Sequence, residues 1–458
     1  MARVCAPWRE AGFGRQKLST SAWVRALVLA MVCALAACGG DPQPDAEVVP
    51  APQAEPETGI HKLLDGTPGL AVAGEQLNAA LLRHFYARHD FEPVWTTRQA
   101  QANSLVAAVL RAGEQGLDPE LFHASLLRHR AALRPLDRDL LLSDAFLSYA
   151  DALARGAVPI ERRRDDEVLT PDTIDVAAAL DAAIDSPDPG AVIEDLAPTT
   201  PTYLALRQAL QKVRPGRKGA MNRLRTIEVN LERQRWLPRS LPPDRAWVNV
   251  ADERLVLYHG GQAVFSTKVI VGEDSRHNQS PEFRTTIDAS LFNPPWVIPS
   301  DIVTNEILPQ ISRDPNYLTR NNMILLAGGE AEQLPGPDAG LGLIMFDMPN
   351  RFDVYLHDTP DKRPFKRENR RISHGCIRVQ EPREFAALLM REPIGMIDQG
   401  IAAGSTKREK LPTPVPVFVV YQTAFVDAGG ALQFRPDFYQ RDAEIWQQLQ
   451  TRSSGSPK

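Results

Sequence analysis

Cysteine is scarce in this chain of 458 residues, with four in all, at positions 5, 33, 38 and 376. A disulfide-stapled framework of the kind that holds small secreted domains together is therefore excluded. Basic excess is missing as well: 52 Lys and Arg face 57 Asp and Glu, for a net charge of −5. No basic stripe with interleaved aromatics occurs, so nucleic acid is not an expected partner. CxxC, HExxH and carboxylate-triad patterns are also lacking, and with them the usual signatures of a protein metal site. What remains is an ordinary globular composition, 43% hydrophobic and 24% charged, in a chain long enough for two or three domains. Its 38 prolines gather in linkers and in the C-terminal half.

The N-terminus reads as a targeting segment. Arg3, Arg9, Arg15, Lys17 and Arg25 precede the apolar run "ALVLAMVCALAA" (26–37). A dozen residues at ~1.5 Å each reach about 18 Å, well short of a ~30 Å hydrocarbon layer. A secretory signal over residues 1–37 fits better. Leu35-Ala36-Ala37-Cys38 resembles a bacterial lipobox, in which Cys38 is lipidated and becomes the first mature residue. Plain cleavage at the small-residue run Ala34–Ala36 is the alternative. Glycine at 39, by resemblance to lipoprotein sorting rules, directs such a lipoprotein to the outer membrane. Residues 38–58, rich in Pro, Ala and acid, cannot bury enough apolar area to fold and read as a tether. Cys5 and Cys33 leave with the signal and Cys38 is acylated, so Cys376 is expected to be the sole thiol of the mature chain, with disulfide pairing almost excluded.

Residues 59–217 carry helical periodicity and predict an all-α domain. Leu77, Leu81 and Phe85 form one apolar stripe. "PELFHASLLRHRAAL" (119–133) starts with proline behind Asp118, a good N-cap. "DRDLLLSDAFLSYADALARG" (137–156) and "PTYLALRQALQKV" (201–213) continue the set. His84, His89, His123 and His129 show no paired ligand spacing and read as structural or surface residues. Residues 218–245 read as a connector helix. From Ala246 the period switches to two, with strand candidates such as "AWVNV", "FRTTIDASLF", "GLGLIMFDM", "DVYLHDT" and "VPVFVVYQTAFV". One helix (382–392) interrupts them. The fold class expected is α+β: the helical domain, then a β-rich, mixed-sheet, sandwich-like domain over 246–428, then a tail over 429–458. Inside the β domain, residues 293–340 form a long Gly/Pro-rich insertion, either a lid or a surface elaboration.

Within about twenty residues lie His357, Ser373, His374, Cys376 and Arg378. A free thiol with pKa ~8.5 is only a few per cent ionised at neutral pH, so thiol chemistry needs a nearby proton acceptor. Alternation along "DVYLHD" places Tyr355 and His357 on one face. If "HGCIRV" is extended, His374, Cys376 and Arg378 share a face. Spacing alone leaves three readings open: a thiol nucleophile, a His/His/Cys zinc site, and a buried inert cysteine.

The stretch "HDTPDKRPFKRENRRISHGCIRV" (357–379) resembles the signature of the L,D-transpeptidases, the YkuD-type cysteine enzymes of the bacterial cell wall: a histidine, then Ser/Thr-His-Gly-Cys-x-Arg/Asn. "IEVNLERQRWLP" (227–238), "NPPWVIPSDI" (293–302) and "FRPDFY" (434–439) are similar to the large multi-domain Gram-negative subgroup. That subgroup carries a small peptidoglycan-binding module between its helical and catalytic regions. Here only "QKVRPGRKGAMNRLRT" stands in that place, too short for one, so the lipid tether is expected to substitute.

The resemblance implies Cys376 as nucleophile and His357 as general base. It implies Gly375 and Cys376 as backbone donors to an oxyanion, with Ser373, His374 and Arg378 lining the site and Arg378 orienting a carboxylate. Tyr355 and Trp296 would shape the cleft. Acyl transfer would run from a tetrapeptide stem, releasing D-alanine, to an amine acceptor, giving 3–3 cross-links in cell-wall biogenesis. No metal or organic cofactor is expected. The implied partners are peptidoglycan stem peptides, the membrane through the lipid, and other cell-wall synthesis proteins. The expected place is the periplasmic side of the envelope, anchored at the outer membrane or soluble. A hydrolase of the same chemistry, an L,D-carboxypeptidase or endopeptidase, and a non-catalytic envelope scaffold are the alternatives.

Overall fold

A computed structural model describes residues 59–65, 69–214, 216 and 218–450. The expected signal segment, Cys38 and the tether lie outside the described residues, as do the last eight positions of the expected tail.

The helical half is built from short elements around two longer ones. α1 (Ala79–Tyr86) begins where the Asn78 side chain accepts the Leu81 N–H. The expected stripe packs on the helical core, with Leu77 and Phe85 buried and Leu81 half-buried, and Leu82 and Tyr86 widen the buried face. α2 (Gln99–Leu110) and α3 (Pro135–Arg155) form the centre, and fourteen residues of α3 are buried. The helix expected over 119–133 is broken. Asp118 does cap it, through Glu120 N, but His123 takes a left-handed conformation (φ 61°). There its buried ring lies 2.9 Å from Asp144. α4 (Val176–Asp185) and α5 (Pro189–Glu194), capped by Asp175 and Asp188, add elements that periodicity did not single out, and α6 (Pro201–Gln211) follows.

α7 (Ala220–Arg235) occupies the expected connector, yet its last turns are core. Asn230, Glu232, Arg233, Gln234 and Arg235 are all buried. Glu232 receives Val158 N and Trp236 Nε1 and pairs with Arg235 at 3.0 Å. Buried charges are tolerated only when paired and hydrogen-bonded in this way.

The β domain is one mixed sheet. Its strands are β1 (Arg245–Asn249), β2 (Arg254–His259), β3 (Gln262–Gly272), β4 (Phe283–Phe292), β5 (Ile344–Asp347), β6 (Leu356–His357), β7 (Arg371–Ser373), β8 (Ile377–Val379) and β9 (Lys407–Val420). The order is β7-β3-β8-β6-β5-β4-β9-β1-β2, and β2 also pairs with β3, so the hydrogen bonding runs round in a closed circuit. The pairs β6–β8, β7–β3 and β9–β1 are parallel. β9 explains how the halves join: Val417 and Val419 enter the core of the sheet, while Phe418 and Val420 enter the helical core. A strand buried on both faces reads as a continuous apolar run, as "VFVVY" does.

The expected tail is structured. A hairpin (Ala424–Val426, Leu432–Phe434) precedes α8 (Arg441–Gln450), whose Ile445 and Leu449 join the helical core. The insertion has its own small core of Ile298, Ile302, Val303, Ile307 and Ala331, with a three-stranded sheet and short helices.

Candidate functional site

β6 is only two residues long, but it is pinned on both sides. His357 stands opposite Met345 in β5 and beside Arg378 in β8. The ring is buried, with Nδ1 2.5 Å from the Asp358 carbonyl. A carbonyl can only accept, so Nδ1 carries the proton and the neutral ring keeps its lone pair on Nε2. Burial first, then the Arg378 charge, pushes the His357 pKa down to about 4, against the opposing pull of the Asp358 and Leu341 carbonyls and the Asp358 carboxylate. At neutral pH His357 is an unprotonated base. The Asp358 carboxylate is fixed in turn by Leu343 N (2.9 Å) and Lys362 Nζ (2.6 Å).

The segment after β7 does not continue as a strand. Gly375 has φ 114°, a left-handed value that favours glycine, and it turns the chain between β7 and β8. Ser373 Oγ bridges this turn, donating to Cys376 O at 2.6 Å and accepting Gly375 N–H at 3.2 Å. The Gly375 N–H is therefore engaged and is not available as the oxyanion donor the sequence reading gave it. His374, Cys376 and Arg378 nonetheless all line one pocket, despite the break in the extended segment.

That pocket, roughly 410 Å³ with its open mouth included, is bounded by Trp296, Ile302, Gly340, Leu341, His357, Ser373, His374, Cys376 and Arg378. The first three belong to the insertion, which therefore forms part of its wall. His374 Nε2 lies 2.6 Å from Glu306 Oε1 of the insertion. The buried Arg378 Nε has no hydrogen-bond partner among the described residues, and burial lowers the guanidinium's pKa. An unpaired cation in a pocket wall suits an anionic group of a ligand. The Trp296 ring lies close against Gly340, and its Nε1 is likewise without a partner among the described residues.

One further expectation needs correction. Tyr355 is not in the pocket: it packs in the core of the sheet, where burial raises its phenol pKa and its carbonyl accepts Ile377 N. The sulfur of Cys376 is disulfide-bonded in the full chain. The expectation of a lone thiol concerns the mature chain, and the other cysteines, at 5, 33 and 38, lie outside the described residues. Cys376 itself is buried, with Sγ 3.8 Å from Asp353 O.

Sequence reading missed Glu306 and the walls from Ile302 and Gly340, which come from an insertion without internal periodicity, and Leu341 just after it. It also missed Ser280, whose Oγ donates to Gly375 O at 2.7 Å, and Tyr439, which was noted within "FRPDFY" but given no place in the site.

Comparison with known proteins gives two family matches. Residues 243–423 match the family described as the L,D-transpeptidase catalytic domain, and residues 80–210 match one described as a scaffold domain. A Haemophilus influenzae protein named "Putative L,D-transpeptidase" is 27% identical over 395 residues, covering 80% of this chain and 78% of its own. A solved structure titled as the Ldtfm-avibactam carbamoyl enzyme is 14% identical and covers 39% of this chain and 49% of its own, at a TM-score of 0.21, too slight a likeness to bear on the fold.

Proposed function

From the premise that residues 243–423 are an L,D-transpeptidase catalytic domain of the YkuD type, we propose that the chain transfers an acyl group from a peptidoglycan tetrapeptide stem through Cys376. The observation that carries the reading is one pocket that holds Cys376, a neutral buried His357 and an Arg378 that forms no ion pair among the described residues.

Nε2 of His357 takes the Cys376 proton. The thiolate then attacks the carbonyl that joins the L-centre of meso-diaminopimelate to the terminal D-alanine. The oxyanion is received by the Cys376 N–H, since Gly375 N–H is held by Ser373. The imidazolium returns its proton to the departing D-alanine amine, leaving a thioester. An amine of a second stem attacks the thioester, His357 removes its proton, and the Cys376 thiol is released with a 3–3 cross-link formed. Arg378 holds a carboxylate of the stem. The chemistry requires the Cys376 disulfide to be reduced. Loss of residues 1–37 with acylation of Cys38, also proposed, would leave no second thiol in the chain to re-form it.

Muropeptide analysis of the reduced protein on tetrapeptide-rich wall material tests the reading. Dimers with a diaminopimelate–diaminopimelate bond support it, whereas trimming without dimers would assign the hydrolase instead. The intact mass of the mature N-terminus tests the lipid anchor: a chain beginning after Ala36 or Ala37 without acyl groups rules it out.

A further inference from the structure

The peptide unit between Gly375 and Cys376 has two ends with different employment. Its carbonyl oxygen accepts a hydrogen bond from Ser280 Oγ at 2.7 Å. A trans peptide is planar, and its C=O and N–H point in opposite directions. Fixing Gly375 O therefore fixes where the Cys376 N–H points. Gly375, with no Cβ and φ 114°, has no intrinsic preference that would hold this plane. The hold has to come from its hydrogen bonds.

Ser280 is well suited to that task. It is fully buried, so water does not compete for its hydroxyl. Its Oγ accepts Gly272 N–H at 3.0 Å, which leaves the single hydroxyl proton directed to Gly375 O. Its own N–H donates to Tyr439 OH at 3.2 Å, and Tyr439 OH donates to Gly272 O at 2.6 Å. Gly272 must be glycine for this closure, because a Cβ there would sit 1.9 Å from Asn278 O. Tyr439 is stacked on Tyr421 (ring centroids 5.1 Å apart), under the Arg441 guanidinium. Arg441 in turn donates to Ser280 O at 3.2 Å and to Asp166 of the helical half at 2.7 Å. The segment after the sheet thus reaches back beneath the cysteine turn.

We propose that Ser280, seated by Tyr439, is a positioning residue that orients the Gly375–Cys376 peptide so that the Cys376 N–H serves as the oxyanion donor. Neither side chain touches substrate. The proposal rests on the acyl-transfer reading above, and it makes a specific demand: reactions through a tetrahedral oxyanion need the aligned N–H, whereas direct displacement at carbon by the same thiolate does not.

The test compares two reactions of Cys376 in the reduced mature chain, each followed by peptide mass spectrometry: acylation by p-nitrophenyl acetate and alkylation by iodoacetamide. Ser280→Ala is expected to slow acylation roughly tenfold or more while alkylation stays within about twofold of the parent. Tyr439→Phe is expected to act in the same direction, more weakly, and carries the test should Ser280→Ala not fold. If the two rates fall together, or neither changes, the positioning role is overturned. The tetrapeptide stem is run as a separate arm on the parent protein. Absence of reaction there would remove the transpeptidase reading, while the acetate-to-iodoacetamide ratio still decides the role of Ser280.

Discussion

His357 and Arg378 are partners in the parallel register of β6 and β8, so a neutral imidazole and a guanidinium with an unbonded Nε share one wall of the pocket. Among the described residues Arg378 forms no ion pair. The arrangement costs stability and sets a cation in the pocket wall, which suits a thiolate, an oxyanion and a substrate carboxylate.

Arg378→Met should therefore trade activity for stability. Loss of the carboxylate anchor is expected to lower kcat/KM by roughly 10²-fold, the scale of a charge-assisted hydrogen bond of up to ~3 kcal/mol. Removing an unpaired, largely buried cation should leave urea stability unchanged or increased. Arg378→Lys should restore little, because a point charge does not reproduce the planar fork. Steady-state kinetics with urea titration of the three proteins checks both halves.

The pH dependence follows from the same ring. The folded pKa of His357, about 4, lies below its ordinary value of 6.5, so the unfolded chain binds more protons between these limits. Its contribution to stability is complete above pH ~6.5 and is lost as pH falls towards 4, by roughly 3 kcal/mol. His357→Gln should flatten that slope and also lower the acylation rate at pH 7 by about 10²–10⁴-fold. Urea midpoints from pH 4 to 8 measure the first, and single-turnover acylation the second.

Glu167 has the opposite sign. Burial, then Glu282 beside it, raises its carboxyl from 4.5 to about 7, despite Arg441 and Arg233. Its stabilising contribution is present below pH 4.5 and fades as pH rises to 7. Glu167→Gln should raise stability at pH 8 by on the order of 2 kcal/mol and change it little at pH 4, as the same urea series would show.

The His374–Glu306 contact joins the insertion to the cysteine turn, but both partners are substantially exposed. Such pairs are worth about 0–1 kcal/mol, so the insertion is held chiefly by its apolar core. Glu306→Gln should raise KM for the stem no more than about fivefold and leave kcat unchanged. A larger effect would mean that Glu306 contacts substrate.

Gly342→Ala should be costly for a local reason. Gly342 has φ 64°, and a Cβ there would meet the Asp358 carboxylate at 2.6 Å. A loss of roughly 1–3 kcal/mol is expected from the backbone and the overlap, with a fall in activity because Asp358 N and O hold the end of β6 and the His357 ring. Thermal unfolding and acylation rates test this together.

Much of the site was legible because its chemistry is concentrated in one sequence stretch: Ser373, His374, Cys376 and Arg378 lie within six positions, and His357 completes the signature. The two-state division into helical and strand-rich halves followed from the change of period near Ala246. What the sequence hid is tertiary. The engagement of Gly375 N–H by Ser373 requires a turn that alternation cannot show. The apolar run of β9 does not reveal that Phe418 and Val417 serve different cores. The charged C-terminal turns of α7 look like a solvated connector, because their partners, Val158, Thr423 and Asp442, are remote in sequence. Ser280 and Tyr439 carry no motif of their own, and they meet directly and at Gly272 across 159 positions of sequence.

The central claim is a covalent thioester on Cys376. The most direct measurement is rapid-quench mass spectrometry of the reduced protein with a tetrapeptide stem, with free D-alanine quantified in the same samples. The account predicts that the Cys376-bearing peptide gains the tripeptide acyl mass as an equal amount of D-alanine appears, and that Cys376→Ala shows neither. D-Alanine release that persists in Cys376→Ala, or an acyl group found on another residue, would contradict it.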